Sequence, residues 1–122
     1  MAYNLLLPVH IITLGNMTST ITSSAIEVKN QDNVGIQMNW VGVPVGTFSF
    51  QISNDFKEDI NNNILAPGNW ITLPVLPAIA AVGTSDVAYV DLNQLSAMYM
   101  RVVYMAASGS GTLDVFVTAK GI

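Results

Sequence analysis

The chain of 122 residues has the length of one domain, and it contains 51% hydrophobic residues but only 10% charged ones. Because an average soluble domain carries about 25% charged residues, this shortage predicts that partner molecules cover part of the surface. The net charge of −4, with four lysines and arginines, excludes a phosphate-binding surface for nucleic acid, and the lack of cysteine excludes disulfides and thiolate metal sites.

The N-terminal segment is mostly apolar and uncharged. Pro8 and His10 interrupt the run, which falls short of the roughly 18 consecutive apolar residues that a membrane span requires. The segment also lacks the positive charge that begins a signal peptide. We therefore expect no membrane segment, and a strand or an extended arm over residues 1–14, with the arm lying on a neighbouring subunit.

Period-two alternation of apolar and polar residues predicts most of the remaining elements. Residues 18–28 are rich in β-branched side chains, and residues 36–40 and 47–52 alternate clearly. After a further segment at residues 70–75, the alternation returns at residues 87–92, 98–105 and 112–119. The strand over residues 98–105 is apolar on nearly both faces, which is typical of a central strand.

The segments between these strands carry turn chemistry. Gly and Pro over residues 41–46 predict a turn between two strands, and Ser and Gly over residues 107–111 predict a hairpin loop of about five residues. Residues 55–63 offer one candidate helical turn, which Asn and Pro-Gly end quickly. The expected fold is all-β, namely a two-sheet antiparallel sandwich, jelly-roll-like, with seven or eight strands in one domain over residues 1–122.

Two stretches without any charged residue, 1–26 and 60–85, are the predicted contact surfaces. In the second stretch, the proline-broken apolar segment 73–82 is interpreted equally well as a buried crossing between sheets or as a subunit contact. The interface candidates are Leu5, Leu6, Leu7, Val9, His10, Ile12, Leu76, Ile79, Val82 and Arg101.

Arg101 is singled out because it lies in the middle of an apolar strand, where an unpaired guanidinium is costly. Two interpretations are open. The favoured one is an intramolecular ion pair with an aspartate of a neighbouring strand, such as Asp114 across the predicted hairpin. The other is a salt bridge to another subunit.

Residues for catalysis are scarce. His10 is the only histidine and lies in an apolar run, so we expect neither a nucleophilic triad nor a zinc site, no cofactor, and no enzymatic activity. Asp55, Glu58 and Asp59 cluster around Lys57, and a solvated loop is favoured over a cation site. Trp40 and Trp70 are expected in the core and not as platforms for sugars.

Several segments, taken together, resemble a type of small virion protein of tailed bacteriophages. They are IQMNW at residues 36–40, GTFSFQISND at 46–55, NWITL at 69–73, MRVVY at 100–104 and SGSGTL at 108–113. The resemblance spans about residues 35–120 and rests on strand and turn chemistry.

The resemblance implies a β-sandwich protein that decorates and stabilises the outside of a phage capsid. Its implied partners are the major capsid protein and further copies of itself, as a dimer or trimer. The alternative is a tail or fibre module that binds a host surface or glycan, which would require Trp70 or Tyr99 to be exposed.

Overall fold

A computed structural model describes residues 5–28, 33–59, 61, 63–73, 79–93 and 97–120. Within these residues the chain forms ten β-strands and no helix, so no described helix is long and apolar enough to cross a membrane. The strands are β1 (Leu5–Asn16), β2 (Ile21–Thr22), β3 (Ile26–Glu27), β4 (Asn33–Ser53), β5 (Lys57–Glu58), β6 (Ile64–Ala66), β7 (Ile71–Thr72), β8 (Ile79–Val82), β9 (Asp86–Asn93) and β10 (Tyr99–Lys120).

Two very long strands organise the fold. β4 has 21 residues and β10 has 22, and they pair antiparallel along their whole length, from the pair Tyr99 and Ser53 to the pair Lys120 and Asn33. All strands except β5 and β6, which form a separate two-stranded sheet, belong to one eight-stranded antiparallel sheet. The all-β, antiparallel class is therefore confirmed, and the main sheet has the eight strands expected.

The shorter strands divide the long pair into two halves. In the first half-sheet, β1 pairs with the C-terminal part of β10, and β9 pairs with the N-terminal part of β4. In the second half-sheet, β2 and β3 pair with the N-terminal part of β10, and β7 and β8 pair with the C-terminal part of β4. The two layers expected of a sandwich are thus halves of one sheet.

One face of β4 is buried along both halves. Its even-numbered residues point inward without interruption, as period-two geometry requires. The buried apolar side chains on this face are Val34, Ile36, Met38, Trp40, Pro44, Phe48 and Phe50. Because residues from both half-sheets join a single hydrophobic cluster, the strand bends so that the two halves face each other across one core.

β10 also contributes to this core, but its inward-facing positions change from even to odd along the strand. Before the middle of the strand its even-numbered residues Met100, Val102 and Tyr104 are buried, and after it the odd-numbered Leu113, Val115 and Val117 are buried. A register shift between Ala106 and Ser108 separates the two sets. The extra residue of this β-bulge moves the inward-facing positions from even to odd.

Glycines permit the bend beside the bulge. Gly42 and Gly109 have positive φ angles of 119° and 79°, which side-chain-bearing residues rarely adopt. A Cβ at Gly109 would also collide with the carbonyl oxygen of Val43 on the paired strand. The strands therefore bend where glycine allows both the backbone angles and the close approach.

Several predicted boundaries are wrong. Neither predicted turn, at residues 41–46 or 107–111, reverses the chain, because the Gly, Pro and Ser residues there bend two continuous strands. The candidate helical turn at residues 55–63 contains β5, and the predicted strand at 18–28 is two short strands. In the segment 70–75, β7 covers only Ile71–Thr72, and residues 74 and 75 lie outside the described part.

Candidate functional site

An exposed apolar band lies on the outer face of the bend. We define the bend patch as Val41, Val43 and Val45 of β4, Val82 of β8 and Met105 of β10. The three β4 valines alternate with inward-facing residues, Val82 pairs with Val45 in the sheet, and Met105 pairs with Thr47 on the same face. The patch therefore spans three adjacent strands.

The bend patch is apolar and fully uncharged. Val41 and Val82 are each 68% exposed, Val43 is 58% exposed and Met105 is 55% exposed. No residue between 33 and 53 is charged, and none between 79 and 85. Contiguous exposed apolar area of this kind on a small domain is typical of a protein contact surface.

Sequence reasoning did not find most of this patch, since it assigned residues 41–46 to a turn. Only Val82 was among the predicted interface residues. The alternation of valines at positions 41, 43 and 45 was a signal that could have shown it. With Gly and Pro between them, these valines continue the period of two on the outer face.

From residue 5 onward, the predicted N-terminal arm is an edge strand of the chain's own sheet, and residues 1–4 lie outside the described part. β1 pairs antiparallel with β10 from Leu5 to Asn16. Of its predicted interface residues, Ile12 is buried in the core, Val9 packs partly against the core and His10 is exposed. Leu5, Leu6 and Leu7 lie in the paired strand, and contact of this segment with a neighbouring subunit stays a prediction.

His10 attaches the edge strand to β10. Its Nε2 lies 2.9 Å from the Asp114 carboxylate, and its ring stacks on Phe116 at a centroid distance of 4.3 Å. The same carboxylate oxygen accepts a hydrogen bond from the backbone N–H of Leu14, a residue with a positive φ of 49°. These contacts give the only histidine a structural role, which is to hold an irregular strand in register.

In the second charge-free stretch, Ile79 packs against the core and Val82 points outward in the bend patch. Leu76 lies outside the described residues. β8 therefore contributes Ile79 to the core and Val82 to the exposed surface, and a subunit contact of this stretch stays a prediction.

The predicted ion pair between Arg101 and Asp114 is wrong. β10 continues without a chain reversal through the predicted hairpin, so the two residues lie in different half-sheets, and Asp114 contacts His10. Arg101 instead donates from Nε to Oε1 of Gln51 at 2.7 Å on the paired strand. Its guanidinium lies over the Trp70 ring, 4.2 Å from the ring centre, and partial burial lowers its pKa.

A small aromatic cluster surrounds Arg101 on the outer face of the second half-sheet. Phe56 packs edge-on against Tyr99 at a centroid distance of 5.0 Å and tilted against Trp70 at 5.3 Å. Tyr99 is only 8% exposed and donates its hydroxyl to Glu27, so it offers no open platform. Trp70 is half-buried outside the main core, with its ring beneath Arg101, which differs from its predicted place in the core.

The clustered carboxylates organise two loops and do not converge. Asp55 accepts hydrogen bonds from the Ser53 hydroxyl and from the backbone and side-chain amides of Asn69, at 2.7 to 2.8 Å. Asp59 accepts from the amides of Asn61 and Asn63. Among the described residues, no three carboxylate or imidazole groups come together as a metal site.

Hydrogen bonds from the backbone and side-chain amides of Asn69, and from the Ser53 hydroxyl, lower the pKa of the Asp55 carboxyl from 3.8 to about 2. Because the folded pKa lies below the unfolded one, the stabilisation is complete above 3.8 and disappears as the pH falls through about 2. We expect the contact between the segments around Asp55 and Asn69 to loosen over this window, and Trp70 fluorescence follows the change. Asp55→Asn should show the change already at neutral pH, whereas Asp91→Asn, an exposed carboxylate on β9, should behave like the parent.

No protein-family model matches the sequence, and no curated protein matches it. Solved structures do resemble the fold. The crystal structure of the SPBc2 prophage-derived protein YomS matches with a TM-score of 0.53 at 10% identity, over 97% of this chain and 96% of that one. At this identity the likeness shows a shared fold over nearly the full length of both chains.

Two further matches are weaker. The enzymatically active domain of tailspike protein 4 from bacteriophage CBA120 matches with a TM-score of 0.42 and 10% identity, over 98% of this chain and 19% of that one. The isomalto-dextranase of Arthrobacter globiformis T6, complexed with panose, matches with a TM-score of 0.36 and 13% identity, over 82% and 16%. TM-scores below 0.5 support no conclusion about this chain.

Proposed function

We propose that this protein is a structural component of a tailed-phage particle, which binds the outside of the capsid through the bend patch as a homo-oligomer. The observation that carries the proposal is the uncharged, exposed valine surface on a rigid double-strand bend. A protein that stabilises a shell needs extended apolar contact more than it needs reactive groups.

The architecture supports a place in a virion. The neighbour order is β1, β10, β4, β9 in the first half-sheet. In the second half-sheet, β2 and β3 lie on one side of β10 and β4 lies on its other side. β8 and β7 pair with the far edge of β4. We infer jelly-roll connectivity with its long strands unbroken, an architecture used by viral capsid domains and lectins. YomS, which has a similar fold, is a prophage-derived protein, and this agrees with a phage source.

The chemistry of the bend patch supports binding to protein. Apolar surface removed from water contributes about 25 cal/mol per Å², and the patch requires no charged group to be desolvated. Its backbone is fixed by the pairing of β4 with both β8 and β10, so little conformational entropy is lost on binding. Repetition of one modest contact on every symmetric copy of a shell multiplies its effect.

The proposal is tested by co-sedimentation of the purified protein with capsid shells of the phage that encodes it. Val43→Asp should reduce shell binding by about tenfold or more, because an unpaired carboxylate would be buried at the contact. The matched control is Leu65→Asp, which adds the same charge at a residue that is 67% exposed on the β5–β6 hairpin. It should bind like the parent.

Both variants should keep the thermal stability of the parent, since both side chains point to solvent. Equal binding by Val43→Asp and the parent would contradict the role of the bend patch, and no binding of the parent protein to shells would contradict the capsid as partner. Analytical ultracentrifugation of the parent tests self-association separately, and a monomer at all concentrations would contradict the homo-oligomer.

A further inference from the structure

A concave site lies on the outer face of the second half-sheet and shares no residue with the bend patch. Its volume is about 380 Å³, within the range of about 300–1,000 Å³ for small-molecule sites. The walls come from the β2–β3 connection, the β5–β6 hairpin and β10. The lining residues are Ser23, Ser24, Ala25, Phe56, Glu58, Ile64, Trp70 and Arg101.

Arg101 gives this cavity a cation that has no anionic partner in the described part of the chain. Among the described residues no carboxylate lies within ion-pair distance of it, and its hydrogen bond to Gln51 uses only Nε. The guanidinium plane is held by Trp70 at 4.2 Å. A fixed, half-buried guanidinium with free terminal N–H groups is suited to bidentate binding of a planar carboxylate.

Glu58 narrows the choice of ligand. Its carboxylate only accepts hydrogen bonds, so a ligand that carries anionic groups alone would be repelled by it and would give it no donor. The ligand must bring one carboxylate for Arg101 together with hydroxyl donors for Glu58. Phe56, Ile64 and Trp70 add apolar surface for the C–H groups of a ring.

We propose that this cavity binds the carboxylate-bearing ring of an acidic saccharide of the uronic-acid class. The sugar carboxylate pairs with Arg101, ring hydroxyls donate to Glu58, and the ring packs against Trp70. A sugar acid also fits the size of the site, since a lone aspartate or glutamate side chain of a protein partner would fill only a small part of it. The inference is independent of capsid binding, because the cavity shares no lining residue with the bend patch.

The test is titration of the intact protein with galacturonate and its dimer, followed by tryptophan fluorescence. Trp40 is buried in the core, so quenching by ligand reports Trp70, and Trp70→Phe should remove the signal. Arg101→Gln should weaken galacturonate binding by about tenfold or more. The matched control is Lys57→Gln, which removes the same charge from a residue of β5 that does not line the cavity, and it should bind like the parent.

Galactose and acetate distinguish binding of an acidic saccharide from binding of a neutral sugar or of a carboxylate alone. Galactose, which lacks the carboxylate, should bind at least tenfold more weakly than galacturonate, and acetate, which lacks the ring, should bind more weakly as well. Equal binding of acetate and galacturonate would overturn the saccharide as the ligand. Absence of quenching, or equal binding by parent and Arg101→Gln, would overturn the site. Unfolding curves of Arg101→Gln show whether the variant is folded, and Glu58→Gln supplies a second test if it is not.

Discussion

Deletion of Ala107 is expected to destabilise the fold strongly. This residue is the extra one in the β10 bulge, between Ala106 and Ser108. Without it β4 and β10 would keep the same residue pairs, Leu113 with Trp40 among them, but the bend that the bulge allows would be lost. The two half-sheets could then not close over one core, and inward-facing side chains would be exposed to solvent.

The expected result is a large fall in the midpoint of the thermal transition and a weaker near-ultraviolet circular dichroism signal. Each fully buried aliphatic side chain contributes about 1.5–3 kcal/mol, so exposure of a few of them consumes much of the 5–15 kcal/mol by which a domain is stable. Ala107→Ser keeps the length of the strand and should fold like the parent. A deletion variant with an unchanged transition would show that the bend between the half-sheets does not depend on the bulge.

The bulge also explains which parts of the fold could be predicted from the sequence. Alternation over residues 36–40, 47–52, 98–105 and 112–119 predicted the right strands, because inward-facing positions repeat every two residues in any half-buried strand. The signals at residues 41–46 and 107–111 were misread. Gly, Pro and Ser mark any departure from regular extended backbone, and local sequence does not distinguish a bend in a continuous strand from a chain reversal.

Long-range pairing accounts for the errors at the candidate sites. The expected contact of Arg101 with Asp114 followed from the predicted hairpin, and it failed when residues 99–120 formed one strand. The true neighbour, Gln51, comes from β4, 50 residues away in the chain. Side chains that converge across a sheet depend on strand order, which periodicity does not specify.

Gly46→Ala is expected to lower the free energy of unfolding by about 3 kcal/mol, the upper part of the range for overpacking a core. A Cβ at this position would lie 2.5 Å from the carbonyl oxygen of Met105 and 2.6 Å from Cζ of Tyr104, and it would also meet the Tyr104 hydroxyl. The neighbouring backbone cannot retreat easily, because Gly46 pairs with Ala106 immediately before the bulge.

Tyr104, which the new Cβ would meet, offers a second substitution that tests the cause of this destabilisation. Its hydroxyl is buried and has no hydrogen-bond partner among the described residues, and burial raises the pKa of the phenol. An unsatisfied buried hydroxyl costs about 1–3 kcal/mol, so Tyr104→Phe should raise the free energy of unfolding by about 1 kcal/mol. Few core substitutions stabilise a protein, and a gain here would be a direct consequence of the orphaned hydroxyl.

The two changes form a double-mutant cycle, measured by denaturant unfolding. In the Tyr104→Phe background, Gly46→Ala should cost less than in the parent by about 1 kcal/mol, because the hydroxyl that meets the new Cβ is gone while the Met105 carbonyl remains. Additive effects would show that the strain comes from the β4–β10 backbone alone. A destabilising Tyr104→Phe would show that the hydroxyl has a partner, such as a buried water, that satisfies it in solution.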